Sequence, residues 1–442
     1  MITPTSNPAA SANALPHLRL RLGAMMFLQY AVYGLWLPIA ARFLSANPAE
    51  GGLGFNDTQI GRIIAVAGAL GAIFAPFIAG QIADRHFATE RFLAVLMIAG
   101  GALKFITGFM TTYPAWLWLS ISYAVLFMPT LALSNSLAMT HLADPKREFP
   151  AIRVWGTVSW IVVAWAFPMI WLQTNLHFQW LPPFFTGEAL PRTPARMIDS
   201  VKVAGILSML FGLYCWLVLP ATPPKRDAAQ KLAFARAFAL VRYRSFAVFL
   251  LAALLISSVH FIYFMQTSKF LAKIGLADRY LMPAMSVGQF AEIAVMAVLG
   301  RMLARLGFRV VIPLGAFCYA LRYAIFGTVQ LPVEVMVISQ ALHGFCFACF
   351  FAGGFIYVDR IAPPDVRASA QTVIMMVLFG VGQLIGGWLN GFLSRRCTVD
   401  GVLNYQSFWY TLAAIALVAS LALLAMFRDE SQPGGPAGAQ QR

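Results

Sequence analysis

Twelve stretches of about twenty residues, each dominated by aliphatic and aromatic side chains, run through this 442-residue chain. A helix needs about 20 apolar residues to cross the hydrocarbon core of a bilayer. The stretches lie at 22–44, 59–82, 92–112, 115–140, 153–173, 203–220, 246–271, 281–304, 308–329, 332–357, 368–394 and 405–427. Only 11% of the residues are charged, against about 25% in soluble domains. Such a chain cannot cover a water-facing surface, which excludes a soluble enzyme, a disordered chain and a fibre. The expected fold is an all-α polytopic membrane protein with twelve transmembrane helices.

The distribution of charge sets the orientation. The formal net charge is +15, which in a soluble protein would suggest nucleic acid. Here most Lys and Arg fall on one side of the spans, as the excess of basic residues in cytoplasmic loops requires. No nucleic-acid partner is expected, and an even span count puts both termini in the cytoplasm. The long basic connection between the sixth and seventh spans divides the chain into two six-helix bundles. The expected parts are a cytoplasmic tail (1–20), an N-terminal bundle (21–220), a central cytoplasmic loop (221–245), a C-terminal bundle (246–428) and a disordered tail (429–442). Residues 1–18 are polar, and the first span reads as a retained membrane segment rather than a cleaved signal. A second long connection, 174–202, contains Pro182, Pro183, Pro191 and Pro194.

The two halves carry a short repeat. After the second span the chain reads Gly80-Gln-Ile-Ala-Asp84-Arg85, with Arg91 following. After the eighth it reads Gly300-Arg301-Met-Leu-Ala304-Arg305, with Arg309 following. Parallel six-helix repeats are a transporter architecture. The first loop resembles the G-x-x-x-D-[RK] signature of the major facilitator superfamily. That resemblance implies a gating loop in which Gly80 allows close helix approach, Asp84 caps a helix and Arg85 forms an interhelical salt bridge. The second copy has Ala304 in place of the acid.

Ionisable groups at membrane depth cost about 2.5–3.5 kcal/mol on insertion scales and so call for a partner or a function. Of the 17 carboxylates only Glu292 sits mid-span, with Lys104, Arg153 and Arg322 as the basic groups at depth and His260 and His343 beside them. A carboxyl removed from water favours its neutral, proton-bound form, and a facing Arg opposes this. Glu292 is therefore a candidate proton carrier with Arg322 as its coupling partner; a static Glu292–Arg322 or Glu292–Arg153 ion pair is the plain alternative. Gln289 lies three residues before Glu292 and shares its helix face. Gln29, Asn135, Thr157 and Gln266 could read a polar ligand or bond neighbouring helices. Aromatics such as Tyr30, Trp36, Trp160, Tyr263 and Phe347 could stack on a planar solute or pack the core. The five cysteines mostly lie inside apolar runs and make no disulfide framework. No Walker loop, zinc helix, nucleophile elbow or dinucleotide fingerprint is present. No cofactor or metal is expected, and neither enzymatic activity nor ATP-driven transport.

Strings in both halves resemble the bacterial nucleoside–proton symporters of the major facilitator superfamily, the nucleoside permease type. They are Phe149-Pro150-Ala151-Ile152-Arg153-Val154-Trp155-Gly156-Thr157, the Gln289/Glu292 pair, Leu321-Arg322-Tyr323-Ala324 and Arg367-Ala368-Ser369-Ala370-Gln371. The resemblance implies import of nucleosides across a bacterial inner membrane by alternating access, energised by the proton gradient. It implies substrate contacts from Arg153, Thr157, Trp160, Gln289, Glu292 and Phe347, and it matches Arg322 to the family's arginine of the ninth span. His343 and Gln266 join the expected substrate-binding set. Two departures bear on the substrate: Ala348 stands where the family's best-studied type has an acid, and His343 where it has a tyrosine. The expected partners are a nucleoside, protons and membrane lipids, with the protein a monomer. The rival readings are a symporter for an oligosaccharide or other small polar solute, a drug–proton antiporter, and a non-transporting receptor on the same fold.

Overall fold

The computed structural model describes residues 17–76, 78, 87–182, 184–222, 239–363 and 367–428. Its helices are α1 (Leu18–Ser45), α2 (Asp57–Ala75), α3 (Thr89–Thr107), α4 (Tyr113–His141), α5 (Pro145–Trp171), α6 (Thr193–Val218), α7 (Arg244–Lys273), α8 (Leu281–Leu306), α9 (Phe308–Gly327), α10 (Val333–Ile361), α11 (Ser369–Cys397) and α12 (Tyr405–Met426). Eleven helical segments among the described residues are long and apolar enough to cross a membrane. The third stretch forms α3, a 19-residue helix that includes Glu90, Arg91 and Lys104. Glu90 is buried at its first turn and accepts a hydrogen bond from the Thr222 backbone N–H (2.8 Å). A carboxylate there complements the positive end of the helix dipole. The expected gating loop, with Gly80, Asp84 and Arg85, lies outside the described residues, as does most of the central basic loop.

The largest boundary difference from the hydropathy reading is at the sixth span. The sixth span begins at Thr193, ten residues before the expected 203. Pro194 in the first turn has the backbone angle that starts a helix, and Asp199 and Lys202 pair along it at 2.7 Å. That pair makes the first turns look like a loop in an apolar window. The long connection thereby shortens, and its centre is a β-hairpin. Strand β1 (Gln173–Phe178) pairs antiparallel with β2 (Phe185–Ala189), with Phe178 opposite Phe185 and an irregularity between Thr174 and His177. A smaller hairpin, β3 (Thr398–Val399) with β4 (Val402–Leu403), joins α11 to α12.

The chain separates into two compact units. One comprises the residues up to Leu53 together with Leu70–Ala229, the other Gly54–Ala69 with Gln230–Arg442. In the first unit α1 packs along α5, and α3 along α4 and α6; Ser208 Oγ of α6 donates to the Met97 carbonyl of α3 (2.8 Å). Ile206, Leu210, Leu213 and Leu217 of α6 form an exposed apolar stripe at helical spacing, as expected of a lipid-facing side. In the second unit α9 packs along α12, and α7 along α11. The start of α2 belongs to this unit. Its backbone accepts hydrogen bonds from two buried amides of α11, Asn390 to the Asp57 carbonyl (3.1 Å) and Gln383 to the Ile64 carbonyl (3.1 Å). Lys269 of α7 pairs with Asp57, and Arg395 of α11 donates to Thr58 Oγ1 (2.6 Å).

Candidate functional site

In the first unit the expected residues share one face of α5. Arg153, Thr157 and Trp160 follow the i, i+4, i+7 spacing that stacks side chains along a helix, and this face meets α1. The Arg153 guanidinium lies over the Tyr30 ring, 4.0 Å from its centre. Trp160 meets Tyr33 edge-on with ring centres 5.9 Å apart, and Tyr33 in turn touches Phe127 (5.5 Å) and Trp36 (6.0 Å). Arg153, Thr157 and Trp160 are half-buried. The result is a cation and a tryptophan held against a braced aromatic wall, suited to a polar solute with a flat ring.

Lys104 belongs to the same unit but is built differently. It is buried, its Nζ lies 3.0 Å from the centre of the Trp36 ring and 4.7 Å from that of Tyr123, and it makes no hydrogen bond among the described residues. Aromatic faces hold this lysine, with contributions of about 2 kcal/mol for a desolvated cation–π contact. Because Lys104→Met strands no charged partner and exchanges the lost cation–π contacts for relief of the cost of burying a charge, it should keep thermal stability within about 1 kcal/mol of wild type. Lys104→Ala, which empties the space beside Trp36, should lose about 2–3 kcal/mol. Unfolding midpoints in one detergent test both, and an uptake defect in a fully stable Lys104→Met would give the lysine a role in transport.

The second unit gathers most of the ionisable groups at depth into one cluster. Arg322 of α9 is fully buried. Its Nη1 donates to His343 Nδ1 of α10 (3.0 Å) and its Nη2 to the Tyr323 hydroxyl (3.3 Å). The guanidinium also lies over three tyrosine rings, Tyr263 (4.5 Å), Tyr323 (5.1 Å) and Tyr319 (5.4 Å). Among the described residues no carboxylate pairs with it, so the static Glu292–Arg322 ion pair is not formed. Arginine has donors only. His343 Nδ1 must therefore accept, which makes the ring neutral with its proton on Nε2. The Tyr323 hydroxyl donates to the Val259 carbonyl (2.7 Å), and Tyr263 donates to Gln340 Oε1 (3.1 Å).

The rings around Arg322 are stacked. His343 lies between Tyr263 (5.5 Å, 16°) and His260 (5.8 Å, 13°). His260 Nδ1 is 2.6 Å from the Tyr319 hydroxyl. Phe347, one turn beyond His343, is half-buried and stacks on Phe351 (5.6 Å, 10°) within the π-helical segment Cys346–Ala352. Such wide turns re-aim side chains and are frequent at functional sites.

Glycines bring α8 against this cluster. A Cβ on Gly344 would sit 2.4 Å from the Ala291 carbonyl carbon and 2.6 Å from the Glu292 nitrogen, and one on Gly288 would sit 2.9 Å from His343 Cβ. Small residues at helix crossings permit this approach in membranes. The backbone of α8 at Ala291 and Glu292 thus lies against Gly344, next to His343, with Glu292 half-buried and Gln289 nearly fully so. Gln289 Oε1 makes no hydrogen bond among the described residues. Gln266 sits elsewhere: its Nε2 donates to Asn390 Oδ1 (2.8 Å) and Ser394 Oγ (3.2 Å) of α11, which commits that nitrogen to helix pairing. The tyrosine cage was not read from the sequence, although Tyr319 and Tyr323 stand three residues before and one after Arg322. The i−3 spacing on the same helix was the available signal.

Comparison with known proteins identifies the family. A family model described as "Nucleoside H+ symporter" matches residues 17–432. The transporter YegT of Escherichia coli (strain K12) is 28% identical over 422 residues, covering 92% of this chain and 93% of its own. The nucleoside permease NupG of the same organism is 25% identical over 431 residues, 93% of this chain and 96% of its own. The crystal structure of the nucleoside transporter NupG superposes with a TM-score of 0.78 at 25% identity, covering 93% of this chain and 99% of that one. The fold alone extends to a crystal structure of the peptide transporter POT, at 16% identity and a TM-score of 0.71 over 96% of this chain and 98% of that one. The chain belongs to the nucleoside H+ symporter family.

Proposed function

We propose that this protein imports nucleosides across the bacterial inner membrane together with protons, by alternating access of a twelve-helix, two-bundle transporter with cytoplasmic termini. It is a transporter and not an enzyme. The bundles are residues 21–220 and 246–428, joined by the cytoplasmic segment 221–245, and Gly80, Asp84 and Arg85 form its gating loop. It works as a monomer.

Each unit supplies its own set of substrate-handling side chains. In the first, Arg153 and Thr157 offer hydrogen bonds to ribose or base, and Trp160 offers a face for stacking. In the second, Gln289, His343 and Phe347 bind substrate, and Glu292 both binds it and carries the proton. Gln266 serves this set by fixing α7 to α11. Arg322 is the coupling cation. It holds His343 neutral with Nε2–H as a donor, and its own charge is neutralised by no carboxylate among the described residues. Glu292, when ionised, is the anion proposed to respond to that charge.

The observation that carries this reading is the close approach of α8 at Glu292 to Gly344, next in sequence to His343 of the buried Arg322–His343 pair, in a chain whose family match runs from 17 to 432. Labelled uridine counterflow in proteoliposomes tests the substrate class. Adenosine and cytidine should compete with uridine, whereas disaccharides should not. Competition by a disaccharide and not by nucleosides would overturn the assignment.

A further inference from the structure

We infer that the β1–β2 hairpin between α5 and α6 is a membrane-interface anchor, seated in the phospholipid headgroup layer on the side where α5 ends. Residues 173–187 contain no Asp, Glu, Lys or Arg. Trp180 is 87% exposed and Leu181 76%, with Phe178 and Phe185 also exposed on paired positions. Phe178 meets Trp180 edge-on at 5.2 Å and Phe185 at 5.6 Å. A lone two-stranded hairpin is marginal in water at best, and an aromatic cluster with both strands exposed lacks the cover that would hold it there.

The depth of the hairpin identifies what covers it. Phe184 stacks on Trp165 of α5 with ring centres 6.0 Å apart. Trp165 lies six residues before the end of α5 at Trp171, which is about 9 Å back along the helix. The hairpin therefore folds back beside the helix instead of projecting from its end. Trp171, the last residue of α5, donates from Nε1 to Asp199 Oδ2 (3.0 Å), and Asp199 is paired with Lys202 (2.7 Å), so the last turns of α5 stand at a level of charged groups, the headgroup layer, with the hairpin alongside. The exposed α5 residues Val162 and Ile170 continue the apolar surface downward. Tryptophan and tyrosine concentrate in this layer because one end of each ring is apolar and the other polar. Open strand edges are tolerated there, where headgroups and water satisfy the backbone, and not in the hydrocarbon. Seated in this way, the hairpin fixes the level of α5, the helix that carries Arg153, Thr157 and Trp160.

Site-directed spin labelling of the full-length protein tests the assignment. Four native cysteines are buried and only Cys397 is partly accessible, so Cys397→Ser clears the background. Nitroxides are placed singly with Trp180→Cys and Glu188→Cys, and the protein is reconstituted in vesicles of phosphatidylethanolamine and phosphatidylglycerol. At position 180 relaxation by oxygen, which partitions into lipid, should exceed relaxation by a water-soluble nickel chelate, and at position 188 the order should reverse. A nickel-dominated signal at 180 means the hairpin stands in water and overturns the proposal. A label at 180 shielded from both agents means that a second copy or another protein covers it, and overturns it equally. Hydrogen exchange of Trp180→Glu/Leu181→Glu gives a readout free of the label. The variant's hairpin amides should exchange at least about tenfold faster than wild type in the same vesicles, while uridine counterflow persists. Unchanged exchange contradicts the anchor.

Discussion

Glu292→Gln should abolish gradient-driven accumulation of uridine while leaving counterflow measurable. The substitution keeps the size of the side chain and a carbonyl acceptor but removes the group able to take and release a proton. Loss of a charged hydrogen-bond acceptor costs about 1.5–3 kcal/mol, so substrate affinity should fall by roughly ten- to a hundredfold. Counterflow at raised substrate concentration should therefore survive, because exchange needs no net proton movement. Uptake under an imposed pH gradient should stop at the equilibrium level. If Glu292→Gln still concentrated uridine, the proton would be carried elsewhere, and no other carboxyl of the sequence lies mid-span.

Arg322 should be nearly as sensitive, for a different reason. Its guanidinium satisfies His343 Nδ1 and the Tyr323 hydroxyl while lying against three tyrosine faces. Arg322→Met leaves His343 Nδ1 without its donor, a loss of about 1–3 kcal/mol for a buried polar group, and frees the imidazole to adopt the other tautomer. Arg322→Lys keeps the charge but cannot reproduce a planar fork that bonds and stacks at once. Both variants should lose at least about tenfold in uptake. The lysine variant should retain more thermal stability than the methionine variant, because a cation still fills the tyrosine cage. Should Arg322→Lys transport like wild type, charge alone would suffice and the hydrogen bond to His343 would have no part in coupling.

The sequence disclosed the membrane character and the approximate spans because hydrophobic length is a strong and local signal. It disclosed Glu292, Arg322 and His343 as exceptions because an ionisable group in an apolar run stands out without any knowledge of packing. Which of them meet could not be read in the same way. The contact of Arg322 with His343, and the presence of Tyr263 and Tyr319 around them, depends on three helices converging. Gln266 shows the converse: an amide at depth marks a hydrogen bond to be made, and only the packing of α7 on α11 reveals that Asn390 and Ser394 take it. The start of α6 was hidden by Asp199 and Lys202, which lower the local hydropathy yet neutralise one another on the helix. The β1–β2 hairpin was hidden by four prolines in the segment 174–202, which read as an irregular loop.

Proton flux measured together with nucleoside flux tests the central claim most directly. Purified protein in weakly buffered proteoliposomes should alkalinise the outer medium when uridine is added outside, in proportion to the uridine taken up. An inward proton gradient should drive uridine above its equilibrium distribution, and a proton ionophore should collapse the accumulation. Uridine entry without alkalinisation, filling only to equilibrium with or without the gradient, would contradict proton-coupled nucleoside symport.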